Sequence, residues 1–476
     1  MSPESALILG GGVCGLAAAY RLLQLAPGCR VTVLEAGPRT GGLAASWRCD
    51  EFSADLGPHR VYTELPEIEA LLPELIARDE EMTVTRRSQL LLGGHMYRYP
   101  VRPAELLRVM GPVRMGALGF SAVAGKMRGL ARPPRNYEDA MVAAFGRGVY
   151  DLIIGPYTRK VWKTDPAGLH AEVARVRVSA GGATRMLRSL FARGGAKTSQ
   201  TALSHFTYIR GGAEGLVRSL QRKVEELGGV IETGCRVEGL EARDGRVTGV
   251  RPAGGGPART ADMVISTIPV TDLVGHLDAT HPDADAASAA GGLDYLGLVL
   301  AGIVLRRGAM SPNCWLYFPE DGIVFNRAYE PRNFDPGMAP EGRTMVVFEV
   351  TARWDDPLWT APADDTAQAV LADALRLGLF ARDEVENVFA LKVRHTYPLY
   401  RLDYAERLGR VHRYLSGFRN LLSTGRQGLF NHNNMDHSML VGMRAAELAV
   451  SAGADGDAAA RWYAGLGQFA HFRIVD

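Results

Sequence analysis

Residues 5–10, SALILG, form a short apolar run that leads directly into further glycines, and residues 30–35, RVTVLE, form a second run that ends on an acidic residue. Between the two runs, residues 16–25 repeat their apolar side chains with a helical period, and Pro27 then ends the pattern. The order strand, glycine turn, helix, strand predicts a βαβ unit with two parallel strands. The chain is therefore expected to begin an α/β fold.

Three glycines join the first strand to the helix with the spacing G-x-G-x-x-G. Gly10 permits a tight turn, Gly12 lets the backbone approach a pyrophosphate, and Gly15 allows the helix to lie close to the strand. The helix N-terminus then faces the phosphates, and Glu35 at the end of the second strand is placed to accept hydrogen bonds from ribose hydroxyls. The pattern predicts a bound adenine dinucleotide.

The composition of the whole chain is that of an ordinary globular protein with two or three folded units. It has 476 residues, of which 47% are apolar and 22% are charged, and its formal net charge is +2. This balance provides no overall field for nucleic acid, and none is expected as a partner. The five cysteines are scattered without metal-ligand spacing, so no metal site is expected. The N-terminus carries no recognisable secretory signal, which favours a cytoplasmic protein.

The residues that follow Glu35 distinguish between dinucleotides. Residues 35–47 read EAGPRTGGLAASW, so the ribose acid is followed by Arg39 and the pair Gly41-Gly42. This extension resembles the FAD-binding signature of the amine oxidase, protoporphyrinogen oxidase and phytoene desaturase group. The resemblance implies FAD rather than NAD, with Arg39 near the cofactor phosphates and the Gly41-Gly42 backbone near the isoalloxazine. It also implies a Rossmann-like FAD-binding domain with a mixed α+β substrate domain.

Three further stretches resemble the UDP-galactopyranose mutase-like branch of that group. They are 57-GPHRVYT-63, 157-YTRKVW-162 and 326-NRAYEPRNF-334. The resemblance implies that His59 lies against the flavin ring and that Arg327 approaches a substrate diphosphate. Tyr397, in the segment TYPLY, matches a substrate tyrosine of the branch. His59, Arg327 and Tyr397 are therefore the candidate catalytic residues, with flavin packing favoured over a catalytic base for His59.

The C-terminal stretch 425-GRQGLFNHNNMDHSMLVGMRAAE-447 supports the same resemblance. Gly425 and Arg426 match a cofactor-binding G-R-x-G pattern in which the mutases also carry arginine. The turn Asn434-Met435-Asp436 is expected to present a helix N-terminus to the flavin pyrimidine oxygen, where the positive end of the dipole stabilises electron-rich flavin. An ordinary N-cap by Asp436 or Ser438 is an alternative, and the two interpretations are compatible.

Two departures from the mutase pattern bear on the substrate. Phe430 and His432 stand where mutases place two tyrosines that hold a sugar-nucleotide diphosphate, which disfavours UDP-galactopyranose. The leading prediction is an FAD-dependent oxidoreductase that transfers a hydride from a small molecule, a sugar or glycosylated metabolite, to flavin N5. The alternatives are a redox-neutral, mutase-like isomerase that uses reduced FAD, and a non-catalytic flavin-binding partner subunit. The oligomeric state is left open.

The predicted domains are discontinuous. The FAD-binding domain is expected to comprise residues 1–85, 206–275 and 415–476, and the substrate domain residues 86–205 and 276–414. This division predicts that the site lies in the cleft between the two domains.

Residues 106–137 hold six basic residues and no acidic one within a helical pattern. One interpretation is contact with a membrane surface. The favoured one is a basic cover over an anionic ligand or cofactor, or a solvated helix face. The chain has no run of 18 uncharged apolar residues, which argues against a transmembrane helix.

Overall fold

The computed structural model describes residues 2–99, 101, 103–177, 205–454, 456–469 and 472. Residues 178–204, within the predicted segment 86–205, lie outside the described residues. The strands are β1 Ser5–Leu9, β2 Arg30–Leu34, β3 Ser46–Cys49, β4 Phe52–Asp55, β5 Glu81–Thr85, β6 Ser88–Leu92, β7 His95–Arg98, β8 His205–Ile209, β9 Val230–Glu232, β10 Val237–Arg243, β11 Arg246–Pro252, β12 Met263–Ser266, β13 Asp294–Leu305, β14 Trp315–Tyr317, β15 Arg327–Tyr329, β16 Thr344–Ala352, β17 Val385–Leu399 and β18 Leu421–Ser423. The α-helices are α1 Val13–Leu25, α2 Pro66–Leu75, α3 Pro103–Ala131, α4 Tyr137–Phe145, α5 Arg147–Val149, α6 Gly155–Trp162, α7 Glu172–Arg177, α8 Glu214–Glu226, α9 Val270–Asp278, α10 Ala284–Gly291, α11 Pro357–Thr360, α12 Ala363–Arg376, α13 Tyr404–Ser416, α14 Gly425–Gly428, α15 Met435–Ala452 and α16 Ala458–Gly465.

A five-stranded parallel sheet carries the glycine loop. Its strand order is β18-β12-β1-β2-β9, and Leu7 of β1 pairs with Val264 on one side and Thr32 on the other. The strands read as near-continuous apolar runs because helices cover both faces of such a sheet. β1 is central, although the chain adds its neighbours from widely separated segments. The predicted Rossmann-like α/β fold is confirmed.

Helix α1 is held between this sheet and α15 by small side chains. A Cβ at Gly442 of α15 would lie 2.3 Å from the carbonyl oxygen of Cys14, so the two helices approach at backbone contact. Burial raises the pKa of the Cys14 thiol to about 12. Cys14 is therefore a small packing residue rather than a thiolate. This contact fixes the C-terminal segment against the glycine loop.

A second sheet of seven strands stands beside the first, in the order β17-β13-β16-β15-β14-β6-β7. Its pairs are antiparallel except for β14 with β6. In this register Arg327 on β15 lies directly opposite Glu349 on β16. Tyr317 and Arg327 are likewise paired across β14 and β15. The sheet thus brings one arginine, one carboxylate and one phenol to the same place.

Helix α3 is long and exposed. Within the described chain, residues 104–131 are the one helical stretch that is long and apolar enough to cross a membrane by length and composition. The search of the sequence for 18 consecutive uncharged apolar residues did not detect this stretch, because scattered charged residues interrupt its apolar residues. Gly111, with φ +77°, breaks the helix before Pro112 and leaves a second half of about twenty residues.

Candidate functional site

The three glycines of the loop after β1 have different structural roles. Gly10 has φ +104°, and a Cβ there would lie 2.3 Å from Thr267 Oγ1, while a Cβ at Gly15 would lie 2.0 Å from the Gly10 carbonyl oxygen. Gly12 caps α1 in an extended conformation, and the nearest atom to a Cβ there would be 3.8 Å away. The protein's own packing thus requires Gly10 and Gly15 but leaves room at Gly12. This room fits a phosphate group at the helix N-terminus.

Glu35 fastens the neighbouring loop to the glycine loop. Its two carboxylate oxygens accept hydrogen bonds from the backbone N–H of Gly11 at 2.8 Å and of Gly37 at 2.7 Å. The N–H of Gly41 donates to the carbonyl of Gly11 at 2.9 Å, so residues 37–42 lie along the loop. Each carboxylate oxygen keeps a second lone pair for a ribose hydroxyl.

Arg39, expected near the phosphates, is held by the protein itself. Its guanidinium donates to the Ser46 carbonyl at 2.6 Å and lies 3.7 Å from the Glu214 carboxylate. About half of its side chain is exposed. A role for Arg39 toward the cofactor therefore stays a prediction, while its contacts in the fold are to β3 and α8.

The C-terminal segment meets both the glycine loop and the second sheet. Gly425 has φ +78°, and a Cβ there would lie 2.8 Å from Cys14 Sγ. Arg426 donates to the carbonyls of Thr396 and Asn433, and its guanidinium lies 5.4 Å from the centre of the Tyr397 ring. Arg426 thereby ties the start of α14 to the end of β17, where the candidate residue Tyr397 stands.

The turn before α15 lies next to the segment that follows His59. Asn434 caps α15, and Met435 and Asp436 line a small cavity together with Val61 and Tyr62. The buried Asp436 Oδ1 has no hydrogen-bond partner within the described part of the chain. The structure thus brings the predicted turn and the predicted histidine segment together, but the helix is capped by Asn434 and not by Asp436 or Ser438, because both of these residues already lie within α15.

His59 is neutral at physiological pH. Burial, followed by the positive charges of Arg426 and Arg327, lowers its pKa from 6.5 to about 4. Its Nδ1 lies 3.9 Å from Asp55 Oδ2 and makes no hydrogen bond to any described residue. A neutral imidazole with an unused nitrogen in a partly buried position is available to a bound group.

Asp55 ends β4 just before the segment 57–63 that carries His59, and it is a buried carboxylate with several hydrogen-bond partners that sequence reasoning missed. It accepts hydrogen bonds from the Tyr208 hydroxyl at 2.8 Å and from the Ala213 N–H at 3.0 Å. Burial outweighs these bonds and raises its pKa from 3.8 to about 6. Asp55 therefore joins β4, β8 and the start of α8 beneath His59.

The opposite pKa shifts of His59 and Asp55 predict a characteristic pH dependence. The unfolded chain protonates His59 between pH 6.5 and 4 while the folded protein does not, so this contribution to stability is complete above pH 6.5 and is lost on acidification. Asp55 acts in the opposite direction: its contribution is complete below pH 3.8 and is lost as the pH rises through 6. The free energy of unfolding of wild type minus that of His59→Gln should grow by about 3 kcal/mol from pH 4 to 6.5, as urea titrations followed by circular dichroism would measure. Asp55→Asn is the control with the opposite slope, and parallel curves for wild type and His59→Gln would contradict the shift.

Arg327, which the resemblance places near a substrate, pairs with a buried carboxylate. Its guanidinium donates to Glu349 Oε2 at 2.7 Å, and the buried Glu349 Oε1 has no partner among the residues described. Gly57 lies over this pair, because a Cβ there would be 3.8 Å from Arg327 Nη2 and 3.9 Å from Glu349 Oε1. The segment 57–63, which carries His59, therefore borders the Arg327–Glu349 pair directly.

Tyrosines surround the Arg327–Glu349 pair. The ring of Tyr317 lies 5.1 Å from that of Tyr99 and 6.2 Å from that of Tyr157. Tyr157, Tyr317 and Tyr397 all interact electrostatically with Arg327. Burial raises the pKa of Tyr157 well above its usual value, so its phenol stays neutral. The wall is aromatic, with phenolic hydroxyls around one charged pair.

Sequence reasoning missed Glu349, Tyr99 and Tyr317, and it quoted Tyr157 within the segment 157–162 without assigning it a role. A signal for Glu349 was present, because it is the single charged residue in the apolar run TMVVFEVT, residues 344–351. A carboxylate in a fully buried strand requires a partner. For Tyr157 the signal was the segment YTRKVW, residues 157–162, while Tyr317 has none, since its place in the site depends on how the second sheet packs against α6.

Phe430 and His432 are fully buried. Phe430 packs edge-on against Tyr295 at 4.9 Å, and His432 packs against Tyr400 at 4.6 Å and Trp162 at 5.3 Å. Both side chains therefore belong to an aromatic core behind the site. This location agrees with their divergence from the two ligand-binding tyrosines of mutases.

The residues present fit FAD. Room beside Gly12 at the N-terminus of α1, the Glu35 carboxylate, and the unused polar atoms of His59 and Asp436 provide contacts for phosphate, ribose and flavin respectively. No group of three or more His, Cys, Asp or Glu side chains suited to a metal ion occurs in the described ranges.

Comparisons with known proteins show the family. The family model described as flavin containing amine oxidoreductase matches residues 13–447. Coproporphyrinogen III oxidase of Staphylococcus aureus is 25% identical over 173 residues, which cover 34% of this chain and 37% of that protein. The match thus spans little more than a third of the length of this curated relative.

Solved structures show the same fold over the whole chain. A reduced UDP-galactopyranose mutase superposes with a TM-score of 0.81 at 21% identity, covering 100% of this chain and 99% of that one. A redesigned putrescine oxidase superposes with a TM-score of 0.63 at 17% identity, covering 94% and 99% of the two chains. The family model confirms the predicted superfamily, FAD as the cofactor and the oxidoreductase class, and the solved structures confirm the fold. The chain belongs to the family of flavin-containing amine oxidoreductases.

Proposed function

We propose that this protein is an FAD-dependent oxidoreductase that removes a hydride from a C–H bond next to oxygen or nitrogen in a small molecule, a sugar or glycosylated metabolite. One observation carries the proposal. The segment that carries His59 borders Arg327, since a Cβ at Gly57 would lie 3.8 Å from Arg327 Nη2, and the positive charges of Arg426, from the cofactor-binding segment, and of Arg327, from the substrate-binding region, both lower the pKa of His59. Groups assigned to cofactor and to substrate therefore converge on one histidine.

The proposed roles follow from the geometry of the site. Gly10, Gly12 and Gly15 admit the pyrophosphate to the N-terminus of α1, and Glu35 receives the ribose hydroxyls. The N-terminus of α15 stabilises negative charge on the flavin pyrimidine. FAD, when bound, supplies the two-electron acceptor for the hydride at N5.

The chain's own side chains orient the substrate. Neutral His59 offers its unused Nδ1 to the flavin, as a hydrogen-bond acceptor or donor according to its tautomer, and leaves the substrate to Glu349 and Arg327. Glu349 Oε1 is an acceptor for a substrate O–H or N–H, and Arg327 is a donor. The surrounding tyrosine rings exclude water and pack against the substrate ring.

The charge of this site favours oxidation of an uncharged substrate over handling of a diphosphate. Glu349 already neutralises Arg327 at 2.7 Å, and Phe430 and His432 are buried out of reach. The second candidate is a mutase-like isomerase, which the proximity of Arg327 and Tyr397 favours. The two candidates differ in redox balance, because oxidation removes two hydrogens and isomerisation removes none.

Anaerobic mixing of the oxidised, yellow protein with candidate sugars and glycosides tests the proposal. Oxidation should bleach the flavin absorbance near its long-wavelength maximum and give a product lighter by two hydrogens. An unchanged product mass, with turnover only after the flavin has been reduced in advance, would establish the isomerase. Oxidised flavin with every substrate and reductant, in a stable complex with another protein, would favour the non-catalytic subunit.

Arg327→Ala is expected to raise KM about tenfold or more and to leave the FAD content unchanged. The reason is the loss of a charged donor, since hydrogen bonds to charged groups contribute about 1.5–3 kcal/mol. Steady-state kinetics and the absorbance ratio of flavin to protein measure the two quantities. Arg332→Ala is the matched control, because Arg332 donates to the Arg343 carbonyl away from the site. Purification of Arg327→Ala without FAD would instead assign the residue to cofactor binding or to the fold.

We also propose the domain division expected from the sequence. Every strand of the five-stranded sheet lies within residues 1–85, 206–275 or 415–476. Every strand of the seven-stranded sheet lies within residues 86–205 or 276–414. This segregation supports an FAD-binding domain and a substrate domain with those bounds.

A further inference from the structure

One face of the second half of α3 is fixed to the protein by glycines. A Cβ at Gly125 would lie 2.3 Å from the Val142 carbonyl oxygen, and one at Gly129 would lie 2.7 Å from the Ala143 Cβ. The Gly148 N–H also donates to Ser121 Oγ at 2.8 Å. These contacts hold the helix at backbone distance from α4 and α5. A helix fastened in this way along one side cannot be surrounded by lipid.

The opposite face of the helix is apolar and faces outward. Its large side chains are between 64% and 84% exposed; they are Val113, Phe120, Val123, Met127 and Leu130. Their spacing of seven, three, four and three residues places them on one side of a helix. Scattered exposed apolar residues are normal on a protein surface, but a continuous stripe marks an interaction surface. We call these five residues the apolar stripe.

The segment that contains the apolar stripe is also rich in basic residues. Residues 106–137 contain Arg108, Arg114, Lys126, Arg128, Arg132 and Arg135 and no acidic residue. Arg135 pairs with Asp139 at 2.9 Å, and the other five cations lie along the helix and just beyond its end. A helix with an apolar outer face and with cations but no acidic residue along its length has the chemistry of an interfacial anchor, which immerses its apolar residues among acyl chains and leaves its cations with phosphate headgroups.

We propose that α3 docks this protein on an anionic lipid bilayer, with the helix parallel to the membrane plane. The charge pattern favours lipid over a second copy of the chain, because a two-fold interface would bring the same cations of both copies together. The inner face packed on α4 makes the helix an anchor on the surface rather than a span. This proposal is independent of the reaction that the enzyme performs.

The test is sedimentation of the FAD-containing protein with large unilamellar vesicles. Vesicles of phosphatidylcholine and phosphatidylglycerol in equal parts should sediment the protein, while vesicles of phosphatidylcholine alone should sediment much less. Binding should weaken as sodium chloride is raised, since salt screens the headgroup attraction. Glycerol phosphate in solution should not compete, because a free anion lacks the apolar phase.

Two variants distinguish binding through the apolar stripe from nonspecific hydrophobic adsorption to vesicles. Phe120→Ser should weaken vesicle binding about tenfold or more, because it removes one large immersed side chain. Leu402→Ser is the matched control, since Leu402 is 52% exposed but lies away from the stripe, and it should bind as wild type does. Both variants should keep FAD and the melting temperature of wild type.

Three results would overturn the proposal. The first is absence of binding to the mixed vesicles. The second is equal binding to both vesicle types, or equal loss in Phe120→Ser and Leu402→Ser. The third is a dimer in light scattering that dissociates in Phe120→Ser without lipid, which would assign the stripe to a second copy.

Discussion

Gly12→Val is expected to give a folded protein that contains essentially no FAD. At Gly12 the backbone is extended and a Cβ would have no neighbour closer than 3.8 Å, so the first added carbon costs the protein little. The side chain would instead occupy the space beside the N-terminus of α1, where the pyrophosphate must approach the backbone. The expected effect is therefore confined to the cofactor.

The absorbance ratio of flavin to protein and the melting temperature measure this separation. Gly12→Val should match wild-type protein from which FAD has been removed, because ligand binding alone accounts for the extra stability of the holoprotein. Gly28→Val is a matched control, since nothing lies within 4 Å of a Cβ there, and it should keep its FAD. Gly15→Val should fail to fold, because its Cβ would lie 2.0 Å from the Gly10 carbonyl oxygen. A yellow Gly12→Val protein with full cofactor would show that the phosphates bind elsewhere.

Glu349→Ala is expected to lower the free energy of unfolding by about 3 kcal/mol. The carboxylate is almost wholly buried and accepts a hydrogen bond from Arg327 at 2.7 Å. Its removal leaves the arginine charge in a mostly buried position without its partner, which costs more than the pair itself contributes.

Urea unfolding of Glu349→Ala, Arg327→Leu and the double variant Arg327→Leu/Glu349→Leu measures the free energies of unfolding. These values show whether losing one partner costs more than replacing both. The double variant should be more stable than Glu349→Ala, because two apolar side chains leave no buried charge. Glu341→Ala, at an exposed position in the loop before β16, should change the free energy of unfolding little. A loss below about 1 kcal/mol in Glu349→Ala would mean that solvent already screens Arg327.

The N-terminal βαβ unit could be predicted from the sequence because its determinants are local. The glycine spacing, the apolar runs and Glu35 all lie within about thirty residues, and each has its own physical requirement. The meeting of His59 with Arg426 and Arg327 has no such local cause. It was expected from family resemblance, and in the structure it depends on three segments that pack together only in the complete fold.

The partner of Glu349 and the exposed face of α3 could not be predicted from the sequence, for two different reasons. Glu349 pairs with Arg327 through the register of β15 and β16, which no local pattern specifies. In α3 the helical period was visible, but apolar residues occur on both faces. The close approach of Gly125 and Gly129 to α4 decides which face is packed and which is exposed.

The strand order β18-β12-β1-β2-β9 has a consequence for biosynthesis. Among the strands of this sheet β1 is translated first, yet the sheet gains β18 only after residue 423 has been translated, and α15 follows later still. Until then the nascent chain presents β12 as an open apolar edge that invites misassembly. FAD capture is therefore expected only after α15 has been translated, and a polypeptide truncated before β18 is expected to be colourless.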